Sequence, residues 1–328
     1  MKRKVVSVIL CGTMVLGMVT GCGSSKGGDS GDKVTINLYQ NKSEISSQLQ
    51  EAADKYTEEN PNVTINVESI QGNDYNTNLK AKLISDDSVD IYALGDNITN
   101  MTDYVEDLSD QEWLKNTVKL KQLITEKSFR VPARTDRPQP QVTVIDLIDR
   151  QIINKRLIAT LPCVNGEILA DPVHDILKLA IVERYGKTGG VGVGFVRGFG
   201  LREGAMAYSM SHDHHNIVVV GVNELDMAQS VKVIQEMQGG LCVVRNGEVM
   251  AKMRLPIGGL MSEQDAGTVM RELDGLNAAA RSLGCRGSAP FMTLSFISLP
   301  TVPELGLTDM GLVDVLEHRL IPVEIPEK

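Results

Sequence analysis

The sequence predicts an α/β fold followed by a mixed α+β fold, two pieces in a chain of 328 residues. Three observations predict this. Residues 34–94 alternate strand-like and helix-like spacing in strict turn, which is how a parallel α/β lobe begins. From residue 142 onward, β-favouring runs dominate and two helix patterns interrupt them. Between the two regions the composition breaks. Residues 1–117 carry 18 Asp+Glu against 10 Lys+Arg, while residues 118–328 carry 24 against 23. Five of seven tyrosines and the single Trp113 precede the break, and all five histidines and all five phenylalanines follow it. One domain seldom divides its residue types so sharply, so the pieces read as having separate origins.

Lys2-Arg3-Lys4 is a basic start, and Val5–Val19 is an uncharged apolar stretch shorter than the roughly 20 residues of a membrane span. Its end, Val19-Thr20-Gly21-Cys22, resembles a bacterial lipoprotein signal. That resemblance implies cleavage after residue 21, lipid attachment at Cys22 and an exported, membrane-tethered chain. Residues 23–32 are Gly/Ser-rich and form a flexible tether.

Folding is expected to begin with a strand over Val34–Leu38, whose apolar residues alternate. Ser43–Glu59 has helical spacing (Ile45, Leu49, Ala53, Tyr56), Ser43 as candidate N-cap and Pro61 to close it. Val63–Ile70 alternates again, Asp74–Leu83 reads as a helix and Val89–Leu94 as a third strand. The Leu38-Tyr39 strand, Ala53-Asp54-Lys55-Tyr56, Asn60-Pro61-Asn62-Val63 and Asp90-Ile91-Tyr92-Ala93 resemble the N-terminal lobe of solute-binding lipoproteins of ABC sugar importers, over about residues 1–116. The resemblance implies a lobe of residues 33–116 that lacks its second half.

Residues 117–141 form a junction, with Pro132, Pro138 and Pro140 breaking any helix. A strand is expected over Val142–Ile148, and Asn165-Gly166 marks a tight turn. Ile176–Tyr185 reads as strand, as do Val191–Phe195, Ala205–Met210 and the apolar run Ile217–Val220. Asn223 caps a helix over Glu224–Met237, and Asn246-Gly247 closes a hairpin of Leu241–Val244 with Val249–Met253. A long helix is expected over Ser262–Leu283, opened by Ser262-Glu263-Gln264-Asp265 in the manner of a capping box. Phe291–Leu299 reads as a closing strand, and Pro300, Pro303, Pro322 and Pro326 as marks of an irregular tail.

A net charge of -9 without a basic stripe excludes a nucleic-acid binder. Cys163, Cys242 and Cys285 have no metal-type spacing and read as buried reduced thiols. Gly186-Lys187-Thr188 lacks the glycine five positions earlier that a phosphate loop needs, and Ile181 stands there. The glycines at 192 and 194 are followed by Arg197 instead of a third glycine, so they do not make a dinucleotide fingerprint.

The place for chemistry is His212-Asp213-His214-His215-Asn216, which holds three of the five histidines. If extended, it would send His212 and His214 to one face and Asp213 and His215 to the other. Neutral imidazoles suit Zn, Mn or Fe, and a carboxylate beside them suits proton transfer or support of a ligand. The other reading is a polar turn leading into a buried strand. His174 and His318 have no such neighbours.

The runs Ile176–Gly186, Gly194–Leu201, His212–Asn216, Leu255–Ser262 and Phe291–Phe296 resemble the C-terminal domain of bacterial adenine deaminases, over about residues 118–328. That resemblance implies a mixed α+β domain of residues 142–328, hydrolysis of adenine to hypoxanthine and ammonia in purine salvage, and a Mn, Fe or Zn centre. It marks His212, Asp213 and His215 as candidate catalytic residues and Arg197, Gly198 and Asn216 as substrate-binding or site-shaping. The family usually has serine at the position of His214, which makes that residue the weakest candidate.

In the family the metal belongs to a (β/α)8 barrel of about 250 residues, and the first 117 residues here contain no histidine. No complete barrel is therefore expected, nor more than slight activity from the chain alone. The expected partners are adenine, the membrane through Cys22, and a separate barrel subunit or a second copy. The alternative function is a lipid-anchored solute-binding protein. The leader implies export, whereas adenine salvage implies the cytoplasm.

Overall fold

The computed structural model describes residues 33–72, 74–84, 89–93, 105, 111–134, 137–149, 151–287 and 289–326. The leader, Cys22, the tether and Leu94 lie outside the described residues. The chain forms two compact units, Met1–Leu108 and Ser109–Lys328. Among the described residues no helix is long and apolar enough to cross a membrane.

Unit 1 runs β1 (Val34–Gln40), α1 (Ser46–Glu59), β2 (Val63–Ser69), α2 (Asp74–Ile84) and β3 (Ile91–Tyr92). Its sheet is parallel in the order β2-β1-β3, as strands joined by helical crossovers must be. Ser43 is not the helix cap. A 3-10 turn occupies Ser43–Ile45, and α1 starts behind Ile45 with no side-chain cap. The third strand is only two residues long, shorter than the alternation suggested. A thin core gathers Tyr39, Tyr75, Leu79, Val89 and Tyr92, with Tyr39 stacked on Tyr75 at 4.9 Å.

Unit 2 begins with a short helix α3 (Glu112–Lys115). Two small strands follow, β4 (Val131–Pro132) and then, after the longer β5 (Gln141–Leu147) and β6 (Asn154–Thr160), the hairpin β7 (Cys163–Val164) and β8 (Glu167–Ile168). Next come β9 (Ile176–Val182), β10 (Val191–Arg197), β11 (Ala205–Tyr208), β12 (Ile217–Gly221), α4 (Glu224–Met237), β13 (Gly240–Arg245) and β14 (Glu248–Arg254). The chain ends with α5 (Ala266–Ser282), α6 (Pro290–Phe296), β15 (Leu305–Thr308), β16 (Gly311–Asp314) and β17 (Arg319–Ile321).

Eight strands make one mixed sheet in the order β14-β13-β11-β12-β9-β10-β5-β6, in which only the β10–β5 pair is parallel. Both faces of its centre are covered. Leu177, Leu179 and Ile181 of β9 join Leu276 of α5, Leu294 of α6 and Leu307 of β15 on one side. Ala180 and Val182 join Met227, Val231 and Ile234 of α4 on the other, together with Val118 and Phe129 from the junction. All seven residues of β9 and all five of β12 are buried, which is why their sequences read as continuous runs.

Asn165 and Gly166 both take positive φ in the β7–β8 turn, as a two-residue hairpin turn requires. Asn223 caps α4 through its side chain, which accepts from the Asp226 amide at 2.8 Å. Three expectations are corrected. α5 starts at Ala266, because Asp265 takes the Thr268 amide at 3.0 Å and acts as the cap, while Ser262 only closes a local turn to Gln264. Phe291–Leu299 is not a strand. Pro290 opens a helix, and Phe291, Leu294 and Ser295 are buried at helical spacing. The tail is not irregular either: β15, β16 and β17 form an antiparallel meander, and Pro300, Pro303, Pro322 and Pro326 bracket its strands without interrupting them. Strand β6 carries Lys155 and Arg156 on a sheet edge, so its sequence does not alternate as a half-buried strand would. Cys242 and Cys285 are buried free thiols, and Cys163 is only half-buried.

Native-state hydrogen exchange is expected to protect the amides of β9 and β12 far more strongly than those of β1 and β2, which leave much of their length accessible. Leu179→Ala is expected to cost about 2–5 kcal/mol in denaturant unfolding, whereas Val34→Ala, at a position 46% exposed, should change stability by about 0.5 kcal/mol or less.

Candidate functional site

The histidine segment is a turn and not an extended strand. The His215 amide donates to the Ser211 carbonyl at 2.7 Å, closing residues 212–214 into a loop, and His215 takes a φ of +50° to aim the chain into β12. The alternate-face arrangement expected from the sequence is thereby overturned. Residues three apart now meet: the His212 and His215 rings lie 6.1 Å apart.

Helix α6 and the residues after it cradle this turn. The His212 amide donates to the Ser295 carbonyl at 3.0 Å, and the Ser298 hydroxyl donates to the His212 carbonyl at 3.2 Å. The Ser211 and Ser298 hydroxyls bond to each other, and Ser295 Oγ donates to the Met210 carbonyl at 2.9 Å. The His212 ring rests against Phe296 at 5.0 Å. The segment expected to be a strand is thus the helix that positions the site.

The individual side chains differ in environment. Asp213 is 85% exposed, with its carboxylate 3.6 Å from His212 Nδ1. His214 Nδ1 accepts from the Asn216 amide at 3.1 Å, and its Nε2 is buried without a partner. Nδ1 as acceptor makes the neutral ring an Nε2–H tautomer. His215 is buried, and its Nδ1 also has no partner. Asn216 Nδ2 donates to Asp309 Oδ1 at 3.3 Å, while Asn216 Oδ1 accepts from the Arg184 amide at 3.4 Å. Burial holds both imidazoles below the ordinary histidine range. The nearby Arg184 charge adds to this at His215, and at His214 the carboxylates of Asp309 and Asp213 oppose it.

Arg197 and Gly198 are not part of this cluster. Arg197 pairs in register with Ile176, and the turn leads into Ile217, which pairs with Val182 at the other end of β9. Six residues along a strand span about 20 Å. Arg197 instead grips Asp146 with two bonds of 2.7 and 2.6 Å, tying β10 to β5. Gly198 has a φ of +117°, and a Cβ there would press on Leu147. His174 bonds Asp171 at 2.6 Å at that far end.

The loop Gly186–Gly189 is an anion nest already filled from within. Glu183 Oε2 accepts from the amides of Lys187, Thr188 and Gly189 at 3.1, 3.2 and 3.0 Å, and its Oε1 accepts from the Tyr185 amide at 2.6 Å. The donors that a phosphate would need are therefore occupied. Sequence reasoning missed Arg184, Phe296 and Asp309. The first two lie inside the quoted runs Ile176–Gly186 and Phe291–Phe296 with no role given to them, and Asp309 has no local signal at all. A recess of about 230 Å³ lined by Ser128, Arg130, Arg134, Val191, Val193 and Glu324 holds none of these residues.

The family model for the adenine deaminase C-terminal domain matches residues 151–319, just over half of the chain. The chain belongs to the adenine deaminase C-terminal domain family. An adenine deaminase of Desulforamulus reducens is 53% identical over 225 residues, covering 69% of this chain and 38% of that protein. One from Dehalococcoides mccartyi is 45% identical over 186 residues (57% and 33%), and one from Moorella thermoacetica 40% over 208 residues (63% and 35%). The chain thus spans little more than a third of the length of the curated relatives it matches.

Ahead of the deaminase match, a family model for bacterial extracellular solute-binding proteins covers residues 40–134. The apo-form of RafE from Streptococcus pneumoniae shares 18% identity over 48% of this chain and 31% of that one, with a TM-score of 0.23. The histidine turn and its α6 cradle both lie inside the adenine deaminase match.

Because His214 and His215 bind a proton less readily when folded than the ordinary value of about 6.5, the unfolded chain takes up protons first as pH falls. The stability tied to their neutral rings is complete above about pH 6.5 and is lost below it. Melting temperature is expected to drop between pH 7.5 and 5.5, and His214→Ser should make that drop smaller.

Proposed function

We propose that residues 151–319 act as the C-terminal part of an adenine-deaminating centre and that the His212–Asn216 turn is their working surface. The observation that carries this is a locked turn holding a half-buried and a buried imidazole, whose buried ring nitrogens His214 Nε2 and His215 Nδ1 have no partner of their own. Buried polar atoms are nearly always bonded, so unbonded ones at a surface turn suit a ligand. The names of the relatives supply the substrate: adenine, with hypoxanthine and ammonia as products.

The residues present do not fit a resident metal. Among the described residues no group of three or more His, Cys, Asp or Glu is placed to hold one. Manganese, iron or zinc, as the resemblance implies, would be held by residues other than these, in a barrel contributed separately. What this chain supplies is orientation and proton handling. The His212 imidazole, with the Asp213 carboxylate 3.6 Å from its Nδ1, is placed to take a proton from water or return one to a departing amine. Asn216 joins Asp309 to the base of the turn and keeps it in place.

These 328 residues by themselves, supplied with Mn, Fe or Zn, are expected to release no measurable hypoxanthine from adenine. Adding the barrel portion of a related adenine deaminase should restore release, and His212→Ala should then lower kcat/KM by about 10²–10⁴-fold. Robust turnover by the chain alone would overturn the division of labour.

The second reading is a lipid-anchored solute-binding protein. The match over residues 40–134 and the parallel β2-β1-β3 sheet favour it, and the leader with Cys22 would supply export and the anchor. Thermal stabilisation of the chain by sugars but not by adenine, with loss of membrane association in Cys22→Ala, would support this reading over the first.

A further inference from the structure

Arg184 lies two residues beyond β9 and is 1% exposed, yet among the described residues no carboxylate forms an ion pair with it. A buried guanidinium without a counter-ion is costly unless its donors are well used. They are used on three separate segments. Nε donates to the His215 carbonyl, Nη2 to the Gly258 carbonyl at 3.0 Å and Nη1 to Thr117 Oγ1 at 3.2 Å. The Arg184 carbonyl takes the Lys119 amide at 2.7 Å, and the guanidinium lies over the Tyr185 ring at 4.9 Å. The Tyr185 hydroxyl in turn donates to the His214 carbonyl at 3.0 Å. A Cβ on Gly259 would collide with Nη1, so the neighbouring turn leaves room for this side chain in this place.

We propose that Arg184 is the positioning residue of the histidine turn, a planar fork that joins the His215 carbonyl to the Gly258 turn and to Thr117 and so sets the orientation of the His215 ring. The proposal rests on the reading of that turn as the working surface. Thr117 lies ahead of the family-model match that begins at residue 151, but inside the 69% of the chain that the Desulforamulus reducens adenine deaminase covers. Only a guanidinium can serve three acceptors in divergent directions from one rigid plane. A lysine ammonium would keep the charge and lose the fork.

The test uses the full chain labelled with ¹⁵N in its five histidines, read by long-range ¹H–¹⁵N correlation of the imidazoles at pH 7.5, alongside thermal melting. Arg184→Lys is expected to shift both ring-nitrogen resonances of His215 and to leave those of His174, at the far end of the sheet, unmoved. Thr117→Val, which removes one acceptor at similar volume, should shift His215 in the same direction by less. A wild-type His215 spectrum in folded Arg184→Lys would overturn the fork, because charge alone would then suffice. Should Arg184→Lys fail to fold, Thr117→Val decides: an unmoved His215 there overturns the proposal equally. The spectra need no turnover, so a failure of adenine deamination would leave this result standing on its own.

Discussion

Burial of both faces of the β9–β12 pair is the constraint on which the rest of unit 2 depends. A strand with every side chain out of water must have a layer above it and a layer below, and each must be supplied from elsewhere in the chain. Helix α4 and the junction residues Val118 and Phe129 supply one layer; α5, α6 and the β15–β17 meander supply the other. The long connections after β12 and β14 are thereby explained. They carry the chain to the face that still needs covering.

The same arrangement makes the site. Where β12 leaves the core, its preceding turn is caught between the end of α6, the Arg184 fork and the loop gathered around Glu183. The bonds to the His212 amide and to the His212, His214 and His215 carbonyls satisfy backbone groups that burial would otherwise leave unpaired. The rings of His214 and His215 are then left with fewer partners than they can use, and burial disfavours their charged forms. The His212 imidazole beside the exposed Asp213 carboxylate suits proton transfer, and the rigidity of the turn comes mainly from the backbone bonds beneath it.

Much of the architecture was legible in the sequence where one local rule decided it. Asn165-Gly166 could only be a tight turn, Asn223 could only begin a helix, and Ile217–Val220 was too apolar for anything but a buried strand. The legibility failed where two rules competed. Phe291–Leu299 mixes apolar and polar residues in a way that fits either period, and the helix prevails because Pro290 favours a first turn and the sheet presents a surface that takes Phe291 and Leu294 together. Ser262 and Asp265 are both competent caps, and only the packing of α5 on the sheet selects the second. Arg197 and Gly198 were marked as site residues by the run Gly194–Leu201 of the family resemblance, which carries no information on which end of the sheet they occupy. Antiparallel pairing carries them to the other end of the strands.

By itself the sequence determined the two-piece organisation, the strands and helices with a single local signal, and His212–Asn216 as the one concentration of titratable side chains. It did so because composition, turn chemistry and hydrophobic period are local properties. The tertiary structure alone decided that His212 faces His215, that Asn216 bonds Asp309, and that Arg184 ties the turn to Thr117 and Gly258. Apart from the local turn that brings His212 to His215, those pairings join residues tens of positions apart, and only the closing of both layers over the sheet brings them within hydrogen-bond reach.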